Sequence, residues 1–380
     1  MRIGIDARFW GHAGPGRYIK NLILNLEQLD HENEYVIFLN LGGLNDYEPQ
    51  SPNFRKVAVN VPWYSFAEQI KLPFIFAREK LDLLHIPHYN IPLLYFGNLV
   101  VTIHDLTIHR FSTARATTLP LAKYRLKRLM YHFIFGQAVK RARKIFVPTE
   151  FVGGDLSANY PRLDSGKICV TYEGAGEKLP PPLTRNRSTS VLGKFGVGKP
   201  YLLYVGSMYP HKNLPRLVSA FKLVSEEHEN LALVLVGKKD FFQARLSEEV
   251  ARVGLADKVF FPAFDVGSGH IPDAELVVLY QEALCFVFPS LSEGFGLPPL
   301  EAMSFGIPVV ASAATCVPEI CGSAALYFDP EDTEDIARKI KAAVENPTLR
   351  GDLVGKGLAN LKRFSWKKMA EETLGGYQSG

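Results

Sequence analysis

Two glutamates eight positions apart, Glu293 and Glu301, flank a glycine-rich turn that reads Gly294-Phe-Gly-Leu-Pro-Pro-Leu300. Glycines let a backbone come close to a ligand, and the two prolines are compatible with the first turn of a helix. Peptide N–H groups at a helix start attract anions, and a carboxylate accepts hydrogen bonds from hydroxyl groups. The pattern therefore predicts that phosphate and sugar are held side by side, as in a sugar nucleotide.

The elements around these glutamates follow from the apolar run Ala283–Phe288, which Pro289 ends. Such a run is typical of a parallel strand buried on both faces. Glu293 is then expected in the loop at the carboxyl end of this strand, and Glu301 on the first turns of the next helix. Two solvated carboxylates beside a buried strand would give the same spacing, so the spacing alone leaves that alternative open.

A second candidate loop follows the first predicted strand, Arg2–Ile5, and contains Gly14 and Gly16. It is not a G-x-G-x-x-G fingerprint, and no acidic residue ends the second predicted strand, Tyr35–Leu39, to hold a ribose. The loop is either a plain strand-to-helix turn or a place where peptide N–H groups approach a phosphate.

His104 and Asp105 follow the predicted strand Val100–Ile103 directly. A histidine there is either a satisfied core or loop residue or a group that contacts a ligand, and we interpret Asp105 as its structural support. Glu173 is interpreted as an ordinary turn residue.

Lys212 lies in a strand, loop and helix pattern that begins with the predicted strand Tyr201–Val205. A lysine at this place can meet a diphosphate, which matters because a departing diphosphate gains negative charge in the transition state. A solvated surface lysine is the alternative.

The 380 residues exceed one typical domain, and apolar strands alternate with helical patterns in both halves. This alternation predicts two parallel sheets with helices on both faces, in which ligands bind at the carboxyl ends of the strands. We predict a first domain over residues 1–178, a Pro- and Ser-rich linker over 179–199, a second domain over 200–365 and a C-terminal helix over 366–380.

The net charge is only +4, yet the segment from Leu106 to Thr149 contains no acidic residue and ten lysines and arginines. Between residues 110 and 144 the cations alternate with apolar and aromatic residues, which is typical of a helix at an anionic membrane surface. A solvated helix face is the alternative, and nucleic acid is not an expected partner. Residues 1–8 lack the apolar core of a signal peptide, and no apolar run approaches the ~20 residues of a spanning helix. We expect a cytoplasmic protein, peripheral on the inner face of the cell membrane.

The two-glutamate segment, continued through Gly306–Val310 and Val317–Glu319, resembles the signature of the retaining nucleotide-sugar glycosyltransferases of family 4. The loop with Gly14 and Gly16, the His104-Asp105 segment and the loop with Lys212 precede it in the same order as in that family. The resemblance implies the GT-B fold, in which two Rossmann-like doubly wound domains face each other across a cleft. It implies an acceptor-binding first domain, a nucleotide-sugar-binding second domain and a C-terminal helix that crosses back to the first. The whole sequence is most similar to bacterial mannosyltransferases of polysaccharide assembly, which favours GDP-mannose as donor and a glycan or lipid-linked acceptor.

The same resemblance assigns roles to individual residues. It makes His104, Lys212 and Glu293 catalytic, with His104 at the sugar, Lys212 at the leaving diphosphate and Glu293 at the sugar hydroxyls. The donor contacts that it implies are Gly14, Gly16, Ser207, Gly294, Phe295, Gly296, Leu297 and Glu301. Many relatives have arginine at the position of Ser207, a departure that leaves Lys212 as the main charge partner. Phe261–Phe264 and Val236–Lys238 resemble the places where relatives hold the base.

No residue is assigned as a covalent nucleophile, and the expected attack comes from the leaving-group face, with a diphosphate oxygen accepting the acceptor's proton. The chain has no Asp-x-Asp motif, so no metal and no cofactor are expected. A sugar-nucleotide epimerase or a phosphorylase would share the fold. A non-catalytic scaffold that binds an anionic ligand is the alternative outside enzymes.

Overall fold

A computed structural model of the chain describes residues 1–12, 14–111, 120–175, 185–198, 200–262 and 271–379. The chain divides into two compact units. Unit 1 comprises Met1–Gly174 with Phe364–Gly380, and unit 2 comprises Ala175–Arg363. The C-terminal residues thus belong to the unit that contains the N-terminus.

Unit 1 contains a seven-stranded parallel sheet in the order β3-β2-β1-β4-β5-β6-β7. Its strands are β1 (Arg2–Asp6), β2 (Glu34–Leu39), β3 (Phe54–Ala58), β4 (Leu83–Ile86), β5 (Leu99–Thr102), β6 (Ile145–Val147) and β7 (Ile168–Val170). Its helices are α1 (Pro15–Leu29), α2 (Leu41–Asp46), α3 (Phe66–Arg78), α4 (Thr107–Arg110), α5 (Leu121–Arg141), α6 (Glu150–Asn159) and, at the chain end, α15 (Trp366–Gln378).

Unit 2 contains a six-stranded parallel sheet in the order β10-β9-β8-β11-β12-β13. Its strands are β8 (Tyr201–Val205), β9 (Ala232–Val236), β10 (Val259–Phe260), β11 (Cys285–Phe288), β12 (Val309–Ser312) and β13 (Ala325–Phe328). Its helices are α7 (Arg185–Lys194), α8 (Leu214–Glu227), α9 (Phe241–Arg252), α10 (Asp273–Gln281), α11 (Leu297–Ser304), α12 (Val317–Cys321), α13 (Thr333–Glu345) and α14 (Pro347–Asn360).

Both sheets have the strand order of doubly wound nucleotide-binding folds. The order reverses between β1 and β4 in unit 1 and between β8 and β11 in unit 2. Strands β4, β5, β9, β11 and β12 are buried along their whole length, and β1 and β8 are buried at all but one residue each. Ligands of such sheets bind where the order reverses, outside the carboxyl ends of the strands. The loops after β1, β4, β8 and β11 are therefore the expected ligand-binding positions.

Several elements differ from the sequence prediction. The apolar run Val57–Val61 predicts a strand from Val57, but β3 begins three residues earlier, at Phe54. Helix α3 escaped prediction because it contains Pro73, but Ser65 caps its start by accepting a hydrogen bond from the Glu68 N–H. Within the predicted linker 179–199 the structure places α7, because Leu192 and Val197 are buried. Residues 179–184 and 199 of that segment lie outside the described residues.

The C-terminal helix α15 packs against α1 and the core of unit 1. The Tyr377 hydroxyl lies 2.6 Å from His85 Nδ1, and His85 Nε2 lies 2.8 Å from the Thr102 hydroxyl. Burial lowers the pKa of His85 to about 3, so this imidazole is neutral at physiological pH. The helix is thus joined to β4 and β5 by an uncharged hydrogen-bonded chain.

A buried ionic network fixes the carboxyl end of β1. Arg8 donates to Asp6 at 2.7 Å and to Glu68 of α3 at 2.8 Å, and all three side chains are buried. Glu68 also accepts from the Asn90 side chain at 2.7 Å and from the Tyr64 N–H at 2.8 Å. Burial raises the pKa of Glu68, and the bonds from Arg8 and Asn90 oppose that shift. The network joins the loop after β1 to α3 and to the loop after β4.

Replacing Arg8 should therefore destabilise unit 1 strongly. Arg8→Met leaves two buried carboxylates without their cation, and breaking such a network costs about 3–5 kcal/mol in the free energy of unfolding. The three tryptophans, Trp10, Trp63 and Trp366, all belong to unit 1, so denaturant unfolding followed by tryptophan fluorescence measures this unit.

The matched control is Arg55→Met, because Arg55 pairs with Glu79 at the surface. Exposed pairs contribute about 0–1 kcal/mol. Equal losses for the two variants would contradict a special role for the network.

Candidate functional site

Lys212 and Glu293 form an ion pair where the strand order of unit 2 reverses. Lys212 lies in the loop after β8 and Glu293 in the loop after β11, and the Lys212 Nζ lies 2.6 Å from the Glu293 Oε1. The two side chains are only 16% and 12% exposed. A lysine ammonium has three N–H donors, so Lys212 can keep Glu293 as a partner while it binds an oxyanion.

The loop that carries Lys212 is held from both sides. Asn213 has a left-handed backbone (φ 62°), and its side-chain amide donates to the carbonyl oxygens of Pro289 at 3.1 Å and Pro330 at 2.7 Å. The Leu291 N–H donates to the His211 carbonyl at 2.8 Å. The loops after β8 and β11 therefore behave as one hydrogen-bonded layer.

Thr315, which the sequence reasoning missed, holds the backbone of Glu293. Its hydroxyl accepts from the Glu293 N–H at 3.2 Å, and the Cys316 thiol donates to the carbonyl oxygens of Glu293 and Phe295. Thr315 has φ 53°, which is costly for a β-branched residue and persists only where the surroundings enforce it. Strain of this kind clusters at binding sites, but no sequence motif announces it.

The glycine-rich turn has the predicted form. Gly296 has φ 93° and immediately precedes α11, whose first residue is Leu297. Gly294 and Phe295 are buried. Glu301 Oε2 accepts from the Tyr280 hydroxyl at 3.0 Å, so Tyr280 of α10 holds this carboxylate. Tyr280 lies outside the two-glutamate motif, so no motif in the sequence points to it.

The loop after β8 also packs closely on the loop after β9. The Tyr204 hydroxyl donates to the Ser207 carbonyl at 2.7 Å, and burial together with the nearby Glu293 charge raises the pKa of Tyr204 well above its ordinary value. A Cβ on Gly237 would lie 2.4 Å from the Gly206 carbonyl oxygen, so this approach requires glycine.

A cavity of about 170 Å³ lies at the carboxyl ends of β8, β9 and β10. It is lined by Met208, Leu235, Gly237, Lys239, Gln243, Phe261 and Pro262. Two of these residues, Gly237 and Phe261, belong to the segments that the family resemblance links to the base. The rest of the Phe261–Phe264 segment, from residue 263, lies outside the described residues.

In unit 1, His104 lies between two hydrogen-bond acceptors. Its Nε2 is 3.1 Å from the Pro87 carbonyl oxygen and its Nδ1 is 3.6 Å from Glu173 Oε1. The edge of the Tyr18 ring packs against the imidazole, with ring centroids 5.0 Å apart, and burial raises the pKa of Tyr18 to about 12. These contacts hold the imidazole between α1, the loop after β4 and the loop after β7.

The carboxylate beside His104 is not the predicted one. Asp105 is exposed and accepts from the Thr107 N–H at 2.7 Å, which fixes the turn before α4. Glu173 is buried and faces the imidazole. Interpreting Asp105 as the support of His104 and Glu173 as an ordinary turn residue was wrong, because the chain returns Glu173 to the sheet edge from the end of β7.

Gly14 and Gly16 are both required by the backbone. Gly14 caps α1 with φ 71°, and a Cβ on Gly16 would lie 2.3 Å from the Phe9 carbonyl oxygen. The backbone of the loop after β1 therefore requires glycine at both positions.

The predicted site residues fall into two groups. Unit 2 contains Lys212 and Glu293 in direct contact, with Ser207 and Gly294–Gly296 in the same two loops and Leu297 and Glu301 on α11. Unit 1 contains Gly14, Gly16 and His104. Within the described part of the chain, no group of three or more His, Cys, Asp or Glu side chains could hold a metal ion. No helix among the described residues has the length and apolar character needed to cross a bilayer.

Two family models match the chain, one in each half. The model described as Glycosyltransferase Family 4 matches residues 13–175, and the model described as Glycosyl transferases group 1 matches residues 193–358.

Curated relatives give the same classification. The O-antigen chain mannosyltransferase B of Escherichia coli is 30% identical over 308 residues, which cover 77% of this chain and 73% of the relative. The O-antigen chain mannosyltransferase RfbU of Salmonella typhimurium is 27% identical over 285 residues, covering 75% and 71%.

Among solved structures, the sucrose-phosphate synthase from Thermosynechococcus elongatus matches with a TM-score of 0.76 at 21% identity, over 100% of this chain and 98% of that one. Together with the two helix-flanked parallel sheets, this likeness confirms the predicted GT-B fold.

The glycine constraint after β1 is directly testable. Gly16→Ala should lower the free energy of unfolding of unit 1 by about 1–3 kcal/mol, because the new methyl group overlaps the Phe9 carbonyl and the loop must shift. The control is Gly154→Ala in α6, where the added Cβ meets no atom within 4 Å. That change should stabilise the unit by roughly 0.4–1 kcal/mol. Denaturant unfolding followed by tryptophan fluorescence measures both, and a neutral Gly16→Ala would contradict the geometry.

Proposed function

The chain belongs to the family 4 glycosyltransferases, and on this premise we propose the reaction that it catalyses. It transfers mannose from GDP-mannose to a hydroxyl group of a glycan or lipid-linked acceptor, with retention of configuration at the anomeric carbon. The product belongs to a cell-surface polysaccharide. Mannose is supported by the two O-antigen mannosyltransferases among the relatives.

The observation that carries the proposal is the Lys212–Glu293 pair at the point where the strand order of unit 2 reverses. A cation and an anion in contact suit a ligand that has a charged diphosphate beside neutral hydroxyl groups. Lys212 offers N–H donors to the diphosphate, and Glu293 accepts from the sugar hydroxyls. Because both side chains are largely buried, these charges act in a medium of low dielectric constant.

The other parts of unit 2 complete a nucleotide site. Glu301, held by Tyr280, accepts from the ribose hydroxyls. The turn Gly294–Leu297 brings peptide N–H groups towards the sugar and phosphates. The cavity beside Met208 and Phe261 supplies an apolar and polar lining of the kind that suits a base. The donor contacts of Gly14, Gly16 and Ser207 and the sugar contact of His104 stay predictions from the family resemblance.

In the proposed mechanism the acceptor oxygen attacks the anomeric carbon on the face that the diphosphate leaves. As the bond from carbon to the diphosphate oxygen breaks, the leaving GDP gains negative charge, which Lys212 stabilises. The acceptor's proton passes to that diphosphate oxygen, so no side chain is needed as a nucleophile. We propose that lysine and peptide N–H groups, rather than a divalent metal, neutralise the diphosphate.

We also propose that the enzyme works in the cytoplasm at the inner face of the membrane. The support is the basic segment 110–144, whose described parts, 110–111 and 120–144, contain no acidic residue. Residues 112–119 of that segment lie outside the described residues.

The donor is tested by ligand-induced stabilisation. GDP-mannose at a hundredfold excess over its dissociation constant should stabilise the binding-competent protein by about 2.7 kcal/mol, which calorimetry measures as a raised melting temperature. GDP-glucose, UDP-glucose and ADP-glucose are the comparison ligands. Stabilisation by a uridine or adenosine donor alone would overturn the proposed nucleotide.

The roles of Lys212 and Glu293 are tested by transfer of labelled mannose. Lys212→Met and Glu293→Gln should each lower kcat/KM by about a hundredfold or more, since each removes a group that acts on the reacting donor. Lys222→Met, on the exposed surface of α8, is the matched control and should keep full activity.

Chelation by EDTA is measured in the same assay and should leave the rate unchanged. A loss of transfer that Mg²⁺ or Mn²⁺ restores would contradict the metal-independent mechanism. Wild-type turnover of the donor with no transfer to any glycan would favour an epimerase or a hydrolase.

A further inference from the structure

Unit 1 carries an unusual concentration of exposed apolar side chains. On α3, Phe66, Ile70 and Phe74 form one stripe at a spacing of four residues, and the two phenylalanines are 88% and 68% exposed. In the loop after β4, Phe96 is 85% exposed and Leu94 is exposed beside it. Isolated exposed apolar residues are ordinary, but a contiguous group marks an interaction site.

Helix α5 adds a third set. Its exposed apolar residues are Leu126, Leu129, Met130 and Phe133, which have the spacing of one helix face. Lys123, Arg125, Lys127 and Arg128 are exposed among them. Between residues 122 and 130 every residue except Tyr124 is exposed, so this half of the helix projects from the unit.

Side-chain contacts join the three segments into one surface. Gln69 of α3 donates to the Ile91 carbonyl at 3.3 Å and accepts from the Leu93 N–H at 2.8 Å. Arg141 of α5 donates to the Leu93 carbonyl at 2.9 Å, and its guanidinium lies over the Phe96 ring. Lys127 of α5 lies 5.5 Å from the ring centroid of Tyr64, which precedes α3. We call residues 62–78, 87–98 and 120–144 the three-segment surface.

The charge of this surface is one-sided. Its three segments contain ten lysines and arginines and a single acidic residue, Glu68. Glu68 is buried and paired with Arg8, so it adds no negative charge at the surface. An anionic bilayer has a place for both kinds of side chain. Its acyl region accommodates protruding aromatic and aliphatic groups, and its headgroups attract the lysines and arginines around them.

We propose that the three-segment surface inserts its apolar side chains into an anionic lipid bilayer, with α3 and α5 lying in the headgroup layer. This goes beyond an electrostatic association of the basic segment alone, because α3 and the loop after β4 enter the membrane with it. A second copy of the chain is a poor occupant, since a symmetric contact would place cations against cations.

The test uses the full chain and vesicles without donor or acceptor, so it stands apart from the transferase assay. The wild-type chain should sediment with vesicles of phosphatidylcholine and phosphatidylglycerol and bind phosphatidylcholine vesicles at least about tenfold more weakly. The triple variant Phe66→Ala, Phe74→Ala, Phe96→Ala should bind the anionic vesicles at least about tenfold more weakly than wild type. The control Phe241→Ala, which removes an exposed phenylalanine from unit 2, should bind as wild type does.

A second measurement reports insertion itself. Phe96→Trp should show fluorescence that is quenched by lipids brominated in their acyl chains, beyond the quenching of the wild-type tryptophans, whereas Phe241→Trp should show no such excess. All variants should keep the wild-type melting temperature, because the replaced side chains are exposed.

Three results would overturn the proposal. The triple variant could bind anionic vesicles as tightly as wild type, and high salt could abolish the binding of both. That result would leave only an electrostatic association of the basic segment. Absence of binding to anionic vesicles would remove the membrane as the occupant. Self-association of the wild-type chain in solution that the triple variant loses would identify this surface as an interface between copies.

Discussion

Burial of a parallel sheet on both faces is the constraint on which the rest of this molecule depends. The central strands of both sheets are buried along their length, so a charged group within them would lose its hydration without compensation. Charged side chains can gather only where strands end and loops begin. The Arg8 network after β1, His104 after β5, Lys212 after β8 and Glu293 after β11 all occupy such positions.

At these strand ends the charged side chains are partly or fully buried. Burial strengthens the attraction between opposite charges, and it makes the loss of either charge costly to stability. Lys212 and Glu293 form an ion pair at 2.6 Å. The Thr315 hydroxyl and the Cys316 thiol hydrogen-bond to the backbone of Glu293 and so fix the start of the loop that leads to α11. A site held in this way is arranged before a ligand arrives, so in the proposed transfer little reorganisation would accompany charge development on the leaving group. The conformational cost at Thr315 thus falls where the proposed transfer requires a fixed geometry.

The three-segment surface differs from the candidate site in the kinds of side chain that are exposed. There the apolar groups are exposed among cations, and the single acidic residue of the three segments, Glu68, is buried and holds α3 to the end of β1. One buried network therefore both supports the loop after β1 and fixes the helix that carries Phe66, Ile70 and Phe74. The loop with the proposed donor contacts and the proposed membrane surface of unit 1 therefore share a structural support.

The sequence by itself determined the two parallel sheets and the glycine turn between Glu293 and Glu301, because apolar runs, glycines and helix starts are local properties. Its motifs also resembled the enzyme family to which the comparisons with known proteins assign the chain. It could not foresee α3, whose Pro73 imitates a helix end, nor α7, whose buried Leu192 outweighs a linker-like composition. Only the tertiary structure decided that Glu173 rather than Asp105 faces His104, that Tyr280 holds Glu301 and that Thr315 holds Glu293. These partners lie 69, 21 and 22 positions apart along the chain, and such pairings arise when folded elements bring distant residues to the same sheet edge.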